Sequence, residues 1–428
     1  MRVEMPLLPL EERTKGFGEI ELGYGLEQAM REAGRCLQCK EPECEKGCPA
    51  GVQCKAFIEQ VMLGNFEKAL EIIKERNTLP CITGRVCAQE AQCEGSCVLA
   101  KNKQAIAIKA LERFVAEKGE NGWKAGRDNG KKVAVVGSGP AGMAAAIELR
   151  KKGFSVEVFE ALPKLGGVLN WGIPEYRLPG KAVEKEIEAM KKKGIVFRPG
   201  CKVGEQKMLS ELEKEFDAVL LAIGEGKAKR IELPGIEKEG ILYWDQFLQG
   251  FNSGEKKFGN KKAVVIGGGN TAIDCARVLK RLGCSVVVAY RKNMPFMPCN
   301  KSELVHTMEE DIEFKMLLKP KEFLGNERLE KAVFRKIAIE KEKFVDSGED
   351  EAIEADVCVL AIGQDYDASI ANKTEIEGKE IKINGVKTEL WGIFAAGDLA
   401  NKEKTVVHSV ASAKKAAEEI EKYVMEKK

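Results

Sequence analysis

The sequence predicts a helical, cysteine-rich N-terminal region followed by an α/β module that holds two nucleotide-binding units. Three observations carry that prediction. Nine of the 14 cysteines lie between Cys36 and Cys97. A strand, glycine turn, helix, strand pattern occurs twice, in KKVAVVGSGPAGMAAAIELRKKGFSVEVFE (131–160) and KKAVVIGGGNTAIDCARVLKRLGCSVVVAYR (261–291). Each copy is followed by one short run, DAVLLAIG (217–224) or DVCVLAIG (356–363). Strands alternating with helices build a parallel sheet with crossover helices, and two matched units closed by the same LAIG mark an internal duplication.

Length and composition set the bounds. With 428 residues and 44% hydrophobic content, the chain is long enough for two or three domains with cores. A net charge of +2 gives no electrostatic reason for a nucleic-acid or membrane partner. The charged fraction of 32% exceeds the roughly 25% of average domains, which leans toward heat adaptation rather than any function. The start, MRVEMPLLPLEER, is too short and too broken by proline for a signal h-region or a span, so a cytoplasmic location is expected. Thiols stay reduced there, and a dense group of cysteines then points to metal or catalysis.

The N-terminal region otherwise has helical periodicity. IEQVMLGNFEKALEIIKERN (58–77) and AIAIKALERFVAEK (105–118) place apolar residues at three- and four-residue steps, and the polar run GENGWKAGRDNGKK (119–132) reads as a linker. Cys36, Cys39, Cys44 and Cys48 follow C-x2-C-x4-C-x3-C-P, and Cys87, Cys93 and Cys97 follow C-x5-C-x3-C. Structural zinc more usually shows two compact C-x2-C knuckles. The closing Cys48-Pro49 is similar to bacterial ferredoxins, in which the cysteine before proline ligates the other cluster of a pair. Seven such cysteines are one short of two complete 4Fe-4S sites. Cys54, Cys81 and Glu112 are the candidates for the eighth ligand; for the thiols the plain alternative is a buried free cysteine, for Glu112 a surface glutamate.

In the first nucleotide unit, strand VAVVG runs into Gly137, Gly139 and Gly142, spaced G-x-G-x-x-G. The first allows a tight turn, the second a close approach of backbone to a pyrophosphate, the third close helix–strand packing, with the helix N-terminus facing the anion. Glu160, ending the second strand, can accept from a ribose diol. The second unit repeats the device with Gly267, Gly269 and Ala272, but its second strand ends in Tyr290, Arg291 and Lys292. Two cations there suit a ribose 2′-phosphate and favour NADP over NAD; a solvated basic strand end is the alternative. One acid-ended and one base-ended unit imply FAD first and NADPH second. GIFAAGDL (392–399) places Gly397 and Asp398 after a short strand, suggesting that the first domain resumes after the second.

With these residues quoted, the chain resembles the small subunit of NADPH-dependent glutamate synthase and its relatives: the large subunit of the electron-bifurcating NADH-dependent ferredoxin:NADP oxidoreductase and the N-terminal half of dihydropyrimidine dehydrogenase. RCLQCKEPECEKGCPAG, TGRVCAQEAQCEGSCVL, LERF, GSGPAG, LNWGIPEYRLP, GGGNTAIDCAR and FAAGD carry the resemblance over nearly the whole chain. It implies an α-helical iron–sulfur N-terminal domain followed by an α/β two-dinucleotide-binding-domain flavoprotein, an FAD domain with an inserted NAD(P)H domain. The expected segments are 1–126 with two 4Fe-4S clusters, 127–228 for FAD, 229–363 for NAD(P)H and 364–428 for FAD again. One cluster would take Cys36, Cys39, Cys44 and Cys97; the other Cys48, Cys87, Cys93 and Glu112. Pro140, Ala141, Gly167, Thr405 and Val406 join the implied flavin contacts, and Asn270 and Thr271 those to the nicotinamide nucleotide. Departures from the family pattern are Cys54 for an aliphatic residue, Ala88 for proline, Lys292 for a second arginine and Ala413 for glycine. His408 reads as a core histidine.

The function expected from these readings is hydride transfer between NADPH and FAD, then one-electron transfer through the clusters to a partner, either a larger catalytic or ferredoxin-reductase-like subunit or a ferredoxin. The chain lacks residues resembling a glutaminase nucleophile, an FMN barrel or a pyrimidine site, so those reactions would belong to another polypeptide. No general base is named, because such chemistry needs stacking, orientation and exclusion of water. The alternatives are a dihydropyrimidine dehydrogenase electron-input subunit and a thioredoxin-reductase-like disulfide reductase. The latter needs a C-x-x-C at the flavin, and Cys275 has no partner at that spacing. A non-enzymatic alternative is a zinc-stapled docking scaffold.

Overall fold

The structure is a computed structural model that describes residues 1–119, 123–255, 257–365 and 383–426. Part of the expected linker (120–122) and of the expected last segment (366–382, 427–428) lies outside the described residues.

The N-terminal region is helical. Helices Leu26–Ala33, Cys54–Met62, Phe66–Lys74, Pro80–Val86 and Ile108–Lys118 close on a core that includes Phe57, Ile58, Val61, Leu70, Ile73, Leu111 and Phe114. The continuous helix expected over 58–77 is two helices. Gly64, at φ +75°, takes the left-handed conformation that glycine adopts without penalty, and the chain turns so that both apolar faces meet one core. Cys36, Cys44, Cys48, Cys93 and Cys97 pack along the edge of that core.

The first nucleotide unit belongs to a sheet whose strand order is 383–384, 387–388, 393–395, 218–221, 132–136, 155–160, 196–199; its last five strands are parallel. The second forms a five-stranded parallel sheet, ordered 241–243, 357–360, 262–266, 285–290, 313–316. Between strands 218–221 and 393–395, which are neighbours in the first sheet, the chain crosses out and back through the antiparallel ribbon Lys227–Ala228 and Gln364–Asp365. An antiparallel sheet of Leu318–Leu324, Lys331–Glu340 and Lys343–Glu354 is added to the second unit.

The duplication extends to individual hydrogen bonds. Lys132 N donates to Asp217 Oδ2 at 2.9 Å, and Lys262 N to Asp356 Oδ2 at 2.8 Å. Ala222 N donates to Val136 O and Ala361 N to Ile266 O, both at 2.8 Å. The alanine of each LAIG run therefore ends a strand directly against the glycine turn of its own unit.

Candidate functional site

Each first glycine is required by that neighbour. Gly137 has φ +104° and Gly267 φ +150°; a Cβ on Gly137 would lie 2.4 Å from Ala222 O, and one on Gly267 2.2 Å from Ala361 O. Gly142 serves packing, since its Cβ would fall 1.9 Å from Gly137 O. The middle glycines differ in kind. A Cβ on Gly139 or Gly269 meets nothing within 4 Å, so each opens a cradle on its non-protein side. Helices Pro140–Lys151 and Asn270–Arg281 start at those glycines without a side-chain cap. Their orphan N–H groups and positive dipole ends therefore face the cradles, which fits a pyrophosphate in each.

Glu160 is buried and holds the loop as well as facing the cleft. One carboxylate oxygen accepts Ser138 N at 3.0 Å and the Ser138 hydroxyl; the other accepts Leu162 N at 2.9 Å. A carboxylate has about four lone-pair sites, so one acceptor direction is left for a diol. On the opposite wall, Asp398 accepts from the Ser409 hydroxyl at 3.2 Å, and burial pushes its carboxyl up, against the pull of Ser409 and Lys404. Gly397 N donates to Ser412 Oγ at 3.0 Å. His408 is not a core residue: its Nδ1 lies 2.7 Å from Thr405 Oγ1 and its Nε2 2.8 Å from Glu403, so it orients Thr405.

A single cleft, with an empty volume of about 2280 Å³ including its open mouth, brings most of the expected nucleotide residues together. Gly137, Gly139, Pro140, Ala141, Glu160, Gly167, Asn270, Thr271, Gly397, Asp398, Thr405 and Val406 line it. Gly142, Gly267, Gly269, Arg291 and Lys292 are not part of that lining. Arg291 is exposed, whereas Lys292 Nζ sits 5.6 Å and 5.7 Å from the ring centres of Phe296 and Phe344. The two cations are thus unequal. Sequence reading missed Trp171 and Trp244, which stack at 5.7 Å and 14° within the cleft lining, and Arg177, whose guanidinium meets Asp274 at 2.6 Å. The quoted run LNWGIPEYRLP held Trp171 and Arg177; only their contacts were hidden.

The cysteines form two groups. Cys36, Cys39, Cys44 and Cys97 line one recess, together with Leu37 and Val98, whose empty volume including its open mouth is about 420 Å³. Cys48, Cys87, Cys93 and Glu112 lie close enough to act on one another: burial pushes the Cys87 and Cys93 thiols well up, and Glu112 and Cys48 add to that effect on both. Glu112 is no surface residue. Its carboxyl is pushed up to about 7 by burial, partly offset by the Thr83 hydroxyl. Asn77 Nδ2 donates to the same oxygen, Oε1, at 3.2 Å. Cys54 is buried and hydrogen-bonded to Cys44, which it pulls down; Cys81 is buried in helix Pro80–Val86 beside Arg85. Among the described residues, no three His, Cys, Asp or Glu side chains converge tightly enough to hold one metal ion. Cysteine thiolates are the usual ligands of iron–sulfur clusters, and the four that share a recess, Cys36, Cys39, Cys44 and Cys97, fit such a group.

Val86 and Ala88 line the nucleotide cleft, so Cys87 between them joins the second thiol group to that cleft. No described helix is long and apolar enough to cross a membrane.

Comparison with known proteins gives two family matches. The model for dihydropyrimidine dehydrogenase domain II, 4Fe-4S cluster, matches residues 13–123, and that for pyridine nucleotide-disulphide oxidoreductases matches residues 131–417. The glutamate synthase [NADPH] small chain of Azospirillum brasilense is 30% identical over 98% of this chain and 94% of its own length. A homologue of the PreT subunit of NAD-dependent dihydropyrimidine dehydrogenase from Salmonella typhi is 32% identical over 97% of this chain and 98% of its own. In fold, the α/β module is similar to Mycobacterium tuberculosis FprA in complex with NADPH, with a TM-score of 0.60 and 19% identity over 69% of this chain and 85% of that one.

Proposed function

This chain belongs to the glutamate synthase small-subunit family and is an NAD(P)H-dependent FAD oxidoreductase with a 4Fe-4S domain; from that premise we propose that it is the NAD(P)H-facing subunit of a larger assembly, with two 4Fe-4S clusters that pass electrons to a partner subunit. The observation that carries the reading is the shared cleft. The first glycine loop and Asn270 and Thr271 at the start of the second nucleotide helix line it together, and the residues on either side of Cys87 form part of its wall.

When bound, NADPH supplies a hydride, FAD converts the electron pair to single electrons, and 4Fe-4S centres carry these onward. The chain's own residues do the positioning. Gly139 and the start of helix Pro140–Lys151 hold one pyrophosphate, with Glu160 on its ribose; Gly269 and the start of helix Asn270–Arg281 hold the other, with Arg291 and Lys292 at the 2′-phosphate. Gly397, Asp398, Thr405 and Val406 close the flavin side. Cys36, Cys39, Cys44 and Cys97 would hold one cluster, and Cys48, Cys87, Cys93 and Glu112 the one beside the cleft. A carboxylate ligand gives the latter a different charge environment from its neighbour, and ligand type and charge set a cluster's potential.

The sequence spacings C-x2-C-x4-C-x3-C and C-x5-C-x3-C favour this over a zinc-stapled scaffold, because structural zinc usually takes two compact C-x2-C pairs. The disulfide-reductase alternative lacks its dithiol: Cys275 is fully buried and burial pushes its thiol well up. The assembly is of the glutamate synthase type or the ferredoxin:NADP oxidoreductase type; the likeness to the PreT homologue keeps a dihydropyrimidine dehydrogenase partner as the second reading.

The test is anaerobic purification of the chain followed by iron, acid-labile sulfide and flavin analysis, then titration with NADPH and with NADH. Bound flavin bleached by NADPH, with two clusters of iron and sulfide, is the expected result. A colourless chain after reconstitution, or stoichiometric zinc, would falsify the proposal. Co-purification from the native cell decides the partner, and a lone chain that reduces its physiological acceptor at full rate refutes the subunit assignment.

A further inference from the structure

Helix Lys301–Glu309 in the second nucleotide unit does not cap itself. Asn300, its N-cap residue, makes no side-chain bond to the first turn. It is paired instead with Asn270, the first residue of the nucleotide helix: Asn300 N donates to Asn270 Oδ1 at 2.8 Å, and Asn270 Nδ2 lies 3.4 Å from Asn300 Oδ1. Both asparagines line the nucleotide cleft.

The open N–H groups at the helix start are met from the N-terminal region. Lys301 N donates to Glu90 Oε2 and Ser302 N to Glu90 Oε1, each at 3.0 Å. Glu90 lies in the single turn Gln89–Ala91, between Cys87 and Cys93. A carboxylate that takes two backbone N–H groups at a helix N-terminus gains from charge-assisted hydrogen bonds and from the helix dipole together. The same helix is fastened again at its far end, where Glu309 meets Arg13 at 2.7 Å. In its first turn, Glu303 reaches Arg177 at 3.5 Å and also pairs with Arg277.

We propose that Glu90 is a positioning residue for the nicotinamide nucleotide. By capping helix Lys301–Glu309 in place of Asn300, it leaves Asn300 free to fix Asn270, and so sets part of the nucleotide wall from the cysteine loop beside the flavin side of the cleft. The inference rests on the two-nucleotide reading above. Coupling between two sites is reciprocal, so nucleotide bound at Asn270 also biases the loop that carries Cys87 and Cys93.

The experiment uses the holoprotein with Glu90→Ala and Glu90→Gln. NADP+ affinity is read from perturbation of the flavin absorbance, and the reduced clusters are read by EPR with and without NADP+. Glu90→Ala is expected to raise Kd for NADP+ about five- to tenfold, as loss of a charged cap allows, and Glu90→Gln, which keeps one oxygen, by less. Flavin reduction at saturating NADPH should change less than about twofold, and iron and sulfide content should not change. NADP+ should perturb the EPR signal of the wild type and not that of the variants. Unchanged affinity in both variants, or a loss of iron in step with the loss of affinity, overturns the proposal. If Glu90→Ala does not fold, Glu90→Gln decides by the same readouts. A wild type that takes up no NADP+ overturns the two-nucleotide reading and this inference with it, whereas binding that is equal in wild type and variants overturns the role of Glu90 alone.

Discussion

The Thr83 hydroxyl donates to Glu112 Oε1, fixing a carboxylate from helix Ile108–Lys118 against helix Pro80–Val86. Asn77 bonds both residues, to Thr83 Oγ1 at 2.6 Å and to Glu112 Oε1 at 3.2 Å. Both bonds to Glu112 fall on Oε1, and none among the described residues is made to Oε2. That arrangement fixes the carboxylate through one oxygen and leaves the other open to a further ligand.

Replacing Glu112 therefore tests the second cluster. Glu112→Ala should lower iron and sulfide by about half, as loss of one 4Fe-4S centre of two requires, while Glu112→Cys should retain both. An iron count and EPR spectrum unchanged in Glu112→Ala would return the residue to a structural role.

The glycine cradles separate ligand binding from folding. Gly139→Ala adds a methyl group where no protein atom lies within 4 Å, so the variant should fold with a Tm near that of the FAD-free wild type and bind no FAD. Gly137→Ala places its methyl 2.4 Å from Ala222 O at φ +104°, and should lose stability by about 1–3 kcal/mol. Calorimetry and flavin content check both; a Gly139→Ala chain that keeps its flavin would count against the pyrophosphate site.

Arg291 and Lys292 should differ as 2′-phosphate ligands. Exposed Arg291 presents a planar fork suited to phosphate, while Lys292 already sits over two aromatic rings. Arg291→Ala should raise KM for NADPH about tenfold with little change for NADH, and Lys292→Ala should do so by less. Equal effects on both nucleotides would remove the 2′-phosphate assignment.

Acid stability should depend on Glu303. Burial pushes its carboxyl up, but Arg177 and Arg277, with His306 and Lys109, overcome this and hold it at about 2 rather than 4.5. The folded value lies below the unfolded one, so the stabilisation is complete above about pH 4.5 and is lost as pH falls from there toward 2. Its ceiling is on the order of 3 kcal/mol. Burial moves Asp274, in the same network, upward instead, so the comparison with Glu303→Gln isolates the term. That variant should be less stable at pH 7, because it takes one of two carboxylates from each of the buried guanidiniums Arg177 and Arg277, leaving them Asp274 and Glu310, and its urea midpoint should vary less between pH 5 and 3. A variant as steep as the wild type across that range would refute the assignment.

The nucleotide units were legible because their signals are local. Strand, turn and helix fall within about thirty residues, a span over which glycine spacing and hydrophobic period constrain the backbone directly. The LAIG repeat was visible as text, but its physical reason, an alanine carbonyl seated where a glycine Cβ would be, needs strands brought together from 85 or more positions apart (137 and 222, 267 and 361). The helix expected over 58–77 failed at Gly64 because periodicity continues through a glycine that the backbone uses to turn.

Residue identity and spacing alone determined that thiols, two glycine loops and two unlike strand ends occur in one chain, and hence its family of chemistry. Tertiary packing decided the rest. It brings Cys97 to the cavity of Cys36, Cys39 and Cys44, makes Glu112 a partly buried carboxylate, sets Glu90 on a helix more than two hundred residues away, and places Cys87 against the nucleotide cleft. Each of those relationships joins segments that are remote in sequence, and their energies come from burial and hydrogen bonding that exist only once the domains have packed.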